Sequence, residues 1–483
     1  MTSIHNSIGS RVITAQESQS FALLSGDFNP LHLDPVRARR YQFGSTLIHG
    51  INGTLRGLDL FFADREPAVL TSLQVLFNKP LQQGEEIECI VESQSDPSDR
   101  IELHSQGKKV QTIDFSYTRG SLEGSGLKTS DMRDGPQTPT PQDIDIEHAE
   151  NLNGNIPLVW DPALFEQLFP HLARVLPPSQ CAAILGTTNI VGMICPGLNS
   201  VYARLGLSFN QATGDTVQRL DYRAKSTDPR FSRVILAVSN TGVTGEIEAF
   251  FRPTPVVQAS FEEIKSLVRT DQFSEQQAIV IGGSRGLGEV TAKLLAAGGA
   301  KTLLTYAKGE EDAARVCKDI CEAGGQCSYT QHDILSGNSH SDLLSQSAPI
   351  THIYYMASPL IEKSQSGLWD AKLFEKFSDF YIRGLADLLA PFSTSTEYRK
   401  SKLSIYVPST VFLDNHERGF IEYTVAKAAV EAFAGQLRTK FPSWSIHTPR
   451  LPRMLTDQTS GIAGLTPLDS AKHILASLSD ESS

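Results

Sequence analysis

The chain has 483 residues, of which 40% are hydrophobic and 20% charged, and it carries a formal net charge of −11. This length allows about two to four domains with cores of their own, the acidic balance argues against nucleic acid as the main partner, and no apolar run approaches the ~20 residues of a membrane span. The polar start Met1-Thr2-Ser3-Ile4-His5-Asn6 is unlike a secretory signal, and the six cysteines (Cys89, Cys181, Cys195, Cys317, Cys321, Cys327) include no Cys-x-x-Cys pair, so no metal site or disulfide framework is expected and a reducing cytoplasm is the expected compartment.

The first informative segment is Ser25-Gly26-Asp27-Phe28-Asn29-Pro30-Leu31-His32-Leu33-Asp34. Gly26, Asn29 and Pro30 are turn formers, so the segment is expected to break a helix and to hold Asp27 and His32 in an irregular loop. A carboxylate and an imidazole that converge there can add or remove the elements of water, one handling a carbon-bound proton and the other the hydroxyl. An Asx-turn capped by Asp27 beside an exposed His32 is the structural alternative. Downstream, Phe43-Gly44-Ser45-Thr46-Leu47-Ile48-His49-Gly50 opens a helix expected over Ile51 to Phe62. The two segments together resemble the (R)-specific enoyl-thioester hydratases of the MaoC type, over about residues 10–120. That resemblance implies a hotdog fold, acid/base roles for Asp27 and His32, and substrate contacts at Asn29, His49 and Gly50. Asn29 and Asn52 serve either to orient the reacting groups or to cap turns, and Arg37, Arg39 and Arg40 are either solvated charges or a handle for an anionic carrier.

Leu73-Gln74-Val75-Leu76-Phe77-Asn78-Lys79-Pro80 is echoed by Leu205-Gly206-Leu207-Ser208-Phe209-Asn210-Gln211, and Gly44–Gly50 by Gly186-Thr187-Thr188-Asn189-Ile190-Val191-Gly192. Each copy continues into alternating strands such as Ile87–Val91 and Val234–Val238, a pattern of duplicated domains. The second copy has Val191 where the first has His49, and nothing like Ser25–Asp34. The expected organisation is a catalytic hotdog at 1–120, a Gly/Pro-rich linker at 121–155 (with Arg133-Asp134-Gly135-Pro136-Gln137-Thr138-Pro139), and a non-catalytic hotdog at 156–255. A linker at 256–275 follows, with a helix opened by the capping box Ser260–Glu263 and running through Val268, and then a nucleotide-binding domain at 276–483.

In that last domain Ala278-Ile279-Val280-Ile281 feeds Gly282-Gly283-Ser284-Arg285-Gly286-Leu287-Gly288 and a helix expected from Glu289 to Ala297, the strand, glycine loop and helix of a dinucleotide site. Farther on, Tyr423 and Lys427 share one helix face, where a lysine ammonium favours the phenolate and lets the tyrosine exchange a proton with a substrate oxygen; Ser409, after a strand, can bond the same oxygen. Together these residues resemble the short-chain dehydrogenase/reductase family over about residues 276–478. The resemblance implies a phosphate loop of Gly282, Ser284, Arg285, Gly286, Leu287 and Gly288, with Asp333 at the adenine edge and Ala357 lining the cofactor. It also implies catalytic Ser409, Tyr423 and Lys427, with Lys427 holding the nicotinamide ribose. Arg285 and the absence of an acid at the end of Leu303–Ala307 favour NADPH over NADH. The chain departs from the family at Tyr355-Met356-Ala357-Ser358, near Tyr381, at Arg450-Leu451-Pro452, and in a Ser-to-Tyr interval one residue longer than usual.

The fold expected is therefore an α+β double hotdog followed by an α/β Rossmann domain. The two chemistries are consecutive: a 3-oxoacyl thioester would become (R)-3-hydroxyacyl and then trans-2-enoyl with NADPH, as in fatty acid or polyketide synthesis. The substrate handle is coenzyme A or an acyl carrier protein, and the second resemblance implies a homo-oligomer. Two alternatives stand beside this reading. In one the hydratase works on enoyl-CoA in degradation or polyester supply while the last domain acts as a dehydrogenase; in the other the last domain is a non-catalytic binding module.

Overall fold

The alternating runs of the first half fold as antiparallel strands. The computed structural model describes residues 6–93, 98–120, 139–210, 218–336, 340–345, 349–364 and 367–479. Residues 121–138 of the expected linker, with Arg133 to Thr138, lie outside the described residues, as do Met1–His5 and Gln211. The chain divides into two compact units, 1–254 and 255–483.

In the first unit the strands are β1 (Asn6–Val12), β2 (Ala68–Phe77), β3 (Glu86–Ser93), β4 (Ser98–Ser105) and β5 (Lys108–Arg119), then β6 (Asn153–Pro157), β7 (Ser200–Phe209), β8 (Arg219–Asp228), β9 (Arg233–Ser239) and β10 (Val243–Phe251). They form one sheet in the order β1-β3-β4-β5-β2-β7-β10-β9-β8-β6. The join is β2 against β7, antiparallel, with Gln74 opposite Gly206, Leu73 opposite Leu207 and Val75 opposite Leu205. Both strands are ten residues long and they begin 132 positions apart. Gln74 thus faces its own counterpart, and the register alone defines a pseudo-twofold axis through that pair. The unit is a double hotdog-like antiparallel fold built from two copies of one pattern.

Each copy lays one twelve-residue helix on its half of the sheet, Gly50–Phe61 in the first and Pro178–Asn189 in the second. Ile51, Leu55 and Leu58 recur at helical spacing and are fully buried, and they share one continuous core with Ile184 and Leu185 of the second helix. The sequence echo between Gly44–Gly50 and Gly186–Gly192 is a misalignment: the first segment precedes its helix, whereas the second covers the end of its helix and a π turn, Ile190–Ile194. Short apolar and glycine-rich strings resemble one another in either setting, so only the strand echo, with its matched register, marks true counterparts.

In the second unit β11 (Gln277–Ile281), β12 (Lys301–Tyr306), β13 (Gln326–Gln331), β14 (His352–Tyr355), β15 (Leu403–Tyr406) and β17 (Trp444–His447) form a parallel sheet in the order β13-β12-β11-β14-β15-β17. A two-stranded ladder joins β16 (Ser409–Thr410) to β18 (Arg450–Leu451). Apolar clusters cover the sheet: Val280 and Leu304 on one side pack with Val290 and Leu294 of the helix Gly286–Ala297, and Ile279 and Ile353 on the other with Phe377 and Val430. The order reverses between β11 and β14, the switch point at which doubly wound sheets bind ligands. Ser260 and Glu263 make the reciprocal capping box, but the helix ends at Lys265 rather than Val268. Its Phe261 and Ile264 belong to the same core as Val280.

Candidate active sites

The helix Ala15–Ser25 opens on a capping box between Thr14 and Glu17 and ends at Gly26, whose φ of 72° is the left-handed cap that glycine adopts without strain. Asp27 follows in extended chain, and Asn29 then caps a single turn, Pro30–Leu33. His32 therefore sits on a short helix and not in an irregular loop; proline at its first position starts the turn that the glycine ended. Asp27 and His49 are buried and His32 is half-buried. The imidazoles of His32 and His49 stack with centroids 3.8 Å apart, and His49 Nε2 lies 4.0 Å from Asp27 Oδ2.

The hydrogen bonds fix the tautomers. His32 Nδ1 faces the Leu47 carbonyl at 3.0 Å and His49 Nε2 faces the Asp27 carbonyl at 3.0 Å, so each of these nitrogens carries the proton. Nε2 of His32 is left as the basic atom. Burial, then the neighbouring His49, lowers the His32 pKa to about 3, and burial lowers that of His49 to about 4, so both rings are neutral at pH 7. Burial pushes the Asp27 carboxyl up, opposed by His32, by the Thr188 hydroxyl at 2.8 Å from Oδ2, and by the Asn29 amide at 3.1 Å from Oδ1. The ligand atoms of Asp27, His32 and His49 lie within 4.8 Å of one another, a spacing a metal ion could use. The same grouping, with both Asp27 oxygens accepting hydrogen bonds and His32 Nε2 left unprotonated, is suited to proton transfer.

Gly50 is the first residue of the helix Gly50–Phe61, whose cap residue His49 makes no side-chain capping bond. The leading N–H groups of that helix are thus not taken by a cap and can meet a developing negative charge. Beside them Asn52 is fully buried with neither amide atom hydrogen-bonded, and His49 Nδ1 has no partner. Asn29 is different: its Oδ1 accepts from Leu31 N at 3.0 Å and its Nδ2 donates to the carbonyls of Gly197 at 3.0 Å and Gly192 at 3.1 Å. Of the arginine cluster, Arg37 lies 3.6 Å from Asp34 and Arg39 donates to Val36 O at 3.0 Å. A residue that sequence reasoning passed over, Arg252, is buried with its guanidinium 3.6 Å over the Tyr41 ring, and its charge adds to the lowering of the His32 pKa.

In the second unit the loop after β11 turns directly into the helix Gly286–Ala297, three residues earlier than the sequence suggested. Gly282 has a φ of 76°, and a Cβ on Gly288 would lie 2.1 Å from the Gly282 carbonyl oxygen. Only glycine permits this approach, and the helix N-terminus takes no side-chain cap from Arg285, as a pyrophosphate cradle requires. Ser284 is buried in the loop, Leu287 packs on the core below it, and Ala357 sits against Gly282, with its Cα 3.0 Å from where a Cβ would stand. Arg285 pairs with Asp457 at 3.4 Å, and Asp333 caps Leu335 N at 3.0 Å.

Tyr423 and Lys427 lie one turn apart on the helix Ile421–Lys440. The Lys427 ammonium is 3.8 Å over the Tyr381 ring but 5.9 Å from that of Tyr423, and it donates to Pro408 O at 2.8 Å. Burial lowers its pKa to about 7 and raises that of Tyr423, so the expected lysine-stabilised phenolate is not the resting state. Ser409 does not meet Tyr423: its hydroxyl donates to Glu431 at 2.6 Å, and Glu431 is held by Arg450 at 2.7 Å and 2.9 Å. The hydroxyl that opposes the rise of the Tyr423 pKa is that of the neighbouring Thr410. The interval noted as one residue too long was the available signal, since counting from Thr410 removes the surplus. Tyr381 bonds Ser358 at 2.7 Å, in the place where the family asparagine was missing.

Comparison with known proteins matches two separate segments of the chain. Residues 6–113 match the family described as MaoC like domain, and residues 276–450 that described as short chain dehydrogenase. The chain is 29% identical over 100 residues to peroxisomal multifunctional enzyme type 2 of Drosophila melanogaster, across 20% of this chain and 15% of that one. It is 32% identical over 83 residues to the mitochondrial 3-hydroxyacyl-[acyl-carrier-protein] dehydratase of Arabidopsis thaliana, across 17% of this chain and 50% of that one. A match to fatty acyl-CoA reductase of Acinetobacter baylyi has 29% identity over 201 residues, covering 39% of this chain and 66% of the relative. The chain thus spans less than two thirds of each of these curated relatives. Among solved structures it is similar to a 3-oxoacyl (acyl-carrier-protein) reductase from Agrobacterium tumefaciens with NADP bound, at 20% identity and a TM-score of 0.35 over 40% of this chain and 75% of that one. The first match lies in the antiparallel unit and the second in the parallel one, and the chain carries an N-terminal MaoC-like hydratase/dehydratase domain fused to a C-terminal oxidoreductase domain of the short-chain dehydrogenase type.

Proposed function

We propose that the first unit interconverts a trans-2-enoyl thioester and the (R)-3-hydroxyacyl thioester, with hydration of an enoyl-CoA as its most direct assay, and that the second exchanges a hydride at the same C3 oxygen with NADP(H). The observation that carries the reading is the buried set of Asp27, His32 and His49 beside the uncapped helix start at Gly50. Water bound between Asp27 and His32 gives a proton to the Asp27 carboxylate as its oxygen attacks C3, and the carboxyl so formed passes that proton to C2; His32 Nε2 accepts a hydrogen bond from the same water and aims it, and the helix N–H groups at Gly50 hold the enolate-like oxygen. His49 orients the His32 ring by stacking, and Asn29 braces the loop against the second copy rather than touching substrate.

The glycine cradle at Gly282–Gly288 fits a dinucleotide pyrophosphate, with Arg285 near enough to the loop to favour a 2′-phosphate. NADP(H), when bound, supplies or accepts the hydride. In this unit Tyr423 gives a proton to, or takes it from, the C3 oxygen; Thr410 bonds that oxygen in place of Ser409; and Lys427 orders the ribose side. All these steps are reversible, so the same residues serve the biosynthetic direction, 3-oxoacyl to enoyl, when NADPH is in excess. A second reading, in which the second unit binds without turnover, is favoured by Lys427 lying over Tyr381 and by the closed network of Ser409, Glu431 and Arg450.

The test is to offer crotonyl-type thioesters of coenzyme A and of a carrier protein, with NADP+ in one arm, and 3-oxoacyl thioesters with NADPH in the other, and to weigh the products by mass. Hydration that is abolished by Asp27→Asn or His32→Ala is expected, and retained activity in either variant would end the hydratase assignment. Nucleotide turnover lost in Tyr423→Phe is expected of an active second unit; no turnover in the wild type would leave the binding module.

A further inference from the structure

The copy that lacks the acid/base residues holds every residue of the loop that carries Asp27. After its helix Pro178–Asn189 it makes a π turn, Ile190–Ile194, before β7, whereas the first copy passes from Phe61 to β2 without one. Such turns are rare and recur at functional sites. From this segment Asn189 Nδ2 donates to Gly26 O at 2.7 Å, Thr188 Oγ1 donates to Asp27 Oδ2 at 2.8 Å, and Met193 Sδ accepts from Phe28 N at 3.1 Å. The carbonyl of Gly192 accepts from Asn29 Nδ2 at 3.1 Å. Gly26, Asp27, Phe28 and Asn29 are thus gripped one after another. At Gly192 the packing is tight enough that a Cβ would stand 2.1 Å from Asp27 Oδ1 and 2.4 Å from its carboxyl carbon.

We propose that Thr188 is a positioning residue for the Asp27 carboxylate, and that the segment Thr188–Met193 is the second copy's contribution to the reaction of the first. The inference rests on the reading of Asp27 as a reacting group. Thr188 is 3% exposed and its hydroxyl donates a hydrogen bond to an ion that burial disfavours, which supports the charged form and fixes the direction of Oδ2. Gly192 leaves the space in which Oδ1 lies. The groups that face Asp27 are His32 and His49 from the first copy and Thr188 from the second; the charge of Arg252, at the end of β10, acts on His32. One copy therefore supplies the proton-transfer groups and the other fixes the charge and aim of one of them.

The experiment compares Thr188→Val, nearly the same shape without the donor, with Thr188→Ser, which keeps it, in the full chain hydrating crotonyl-CoA. With valine, kcat is expected to fall about tenfold or more, the scale of a lost hydrogen bond to a charge. The acid limb of its pH profile is expected to move to higher pH, because the carboxyl without its donor holds its proton more tightly, with KM little changed. Serine is expected to restore both. Thr188→Ala replaces valine should the latter fail to fold, as judged by circular dichroism, and Gly192→Ala is expected to abolish hydration with Thr188 in place. A valine or alanine variant with wild-type kcat and an unmoved acid limb overturns the proposal, as does a serine variant impaired as much as valine. If Asp27→Asn remains active, the hydratase reading itself has failed; if it is inactive while Thr188→Val is unaffected, only the role of Thr188 has failed.

Discussion

Ser409 and Thr410 are adjacent on one short strand, and adjacent strand residues point to opposite faces. On the reading proposed for the second unit, that alternation gives the substrate oxygen to Thr410 and not to Ser409. Ser409 is drawn toward Glu431 and Arg450, while Thr410 is the hydroxyl that opposes the rise of the Tyr423 pKa. In the NADP(H)-dependent assay Thr410→Val is expected to lower kcat about 10²-fold, the lower end of what a positioned proton-transfer partner contributes. Ser409→Ala is expected to keep activity within a few-fold, and a reversal of that order would restore Ser409 to the site. The sequence pointed to Tyr423, Lys427, Asp27 and His32 through motifs whose spacing became specific only with the resemblance around them. It did not disclose Thr410, because a one-residue shift changes a strand face without changing the look of the motif. Nor did it disclose Arg252, whose approach to Tyr41 joins residues far apart in the chain.

At the scale of elements, the helix Gly50–Phe61 does two things. Its apolar face enters the core, and its polar residues tie the first copy to the second. Asp59 Oδ1 accepts from the amides of His171 and Leu172, each at 2.9 Å, and Arg56 bonds Glu17 at 3.0 Å and the carbonyl of Leu168. Asp59 is 4% exposed, so its loss leaves the buried Leu172 N–H and the half-buried His171 N–H without that acceptor. Asp59→Ala is expected to lower stability by about 1–3 kcal/mol, read as a lower melting temperature of the whole chain. Asp59→Asn, which keeps one acceptor oxygen, is expected to recover part of the loss. The helix itself was legible from its repeating apolar positions, within one residue at each end. The π turn after the second helix was not, because it follows from the need to reach the Asp27 loop and has no periodicity of its own.

For the molecule as a whole, duplication of the hotdog pattern with one acid/base set implies one hydratase site per chain. Calorimetric titration with a non-hydratable acyl thioester is expected to give one site per chain in the first unit, and two equivalent sites would show that the second copy also binds. Among the described residues no helix is long and apolar enough to cross a membrane. Period-2 strands and a strand–glycine loop–helix unit were enough for the sequence by itself to determine the antiparallel double unit and the parallel nucleotide-binding unit and to offer candidates for both sites, because these depend on local backbone preference and on side-chain alternation. Only the tertiary structure decided the register that sets Gln74 opposite Gly206, the turning of Ser409 toward Glu431, and the grip of Thr188–Met193 on the acid loop. Those are contacts between distant stretches of chain, fixed by packing density and by the need to satisfy buried polar groups, and neither leaves a periodic mark in the sequence.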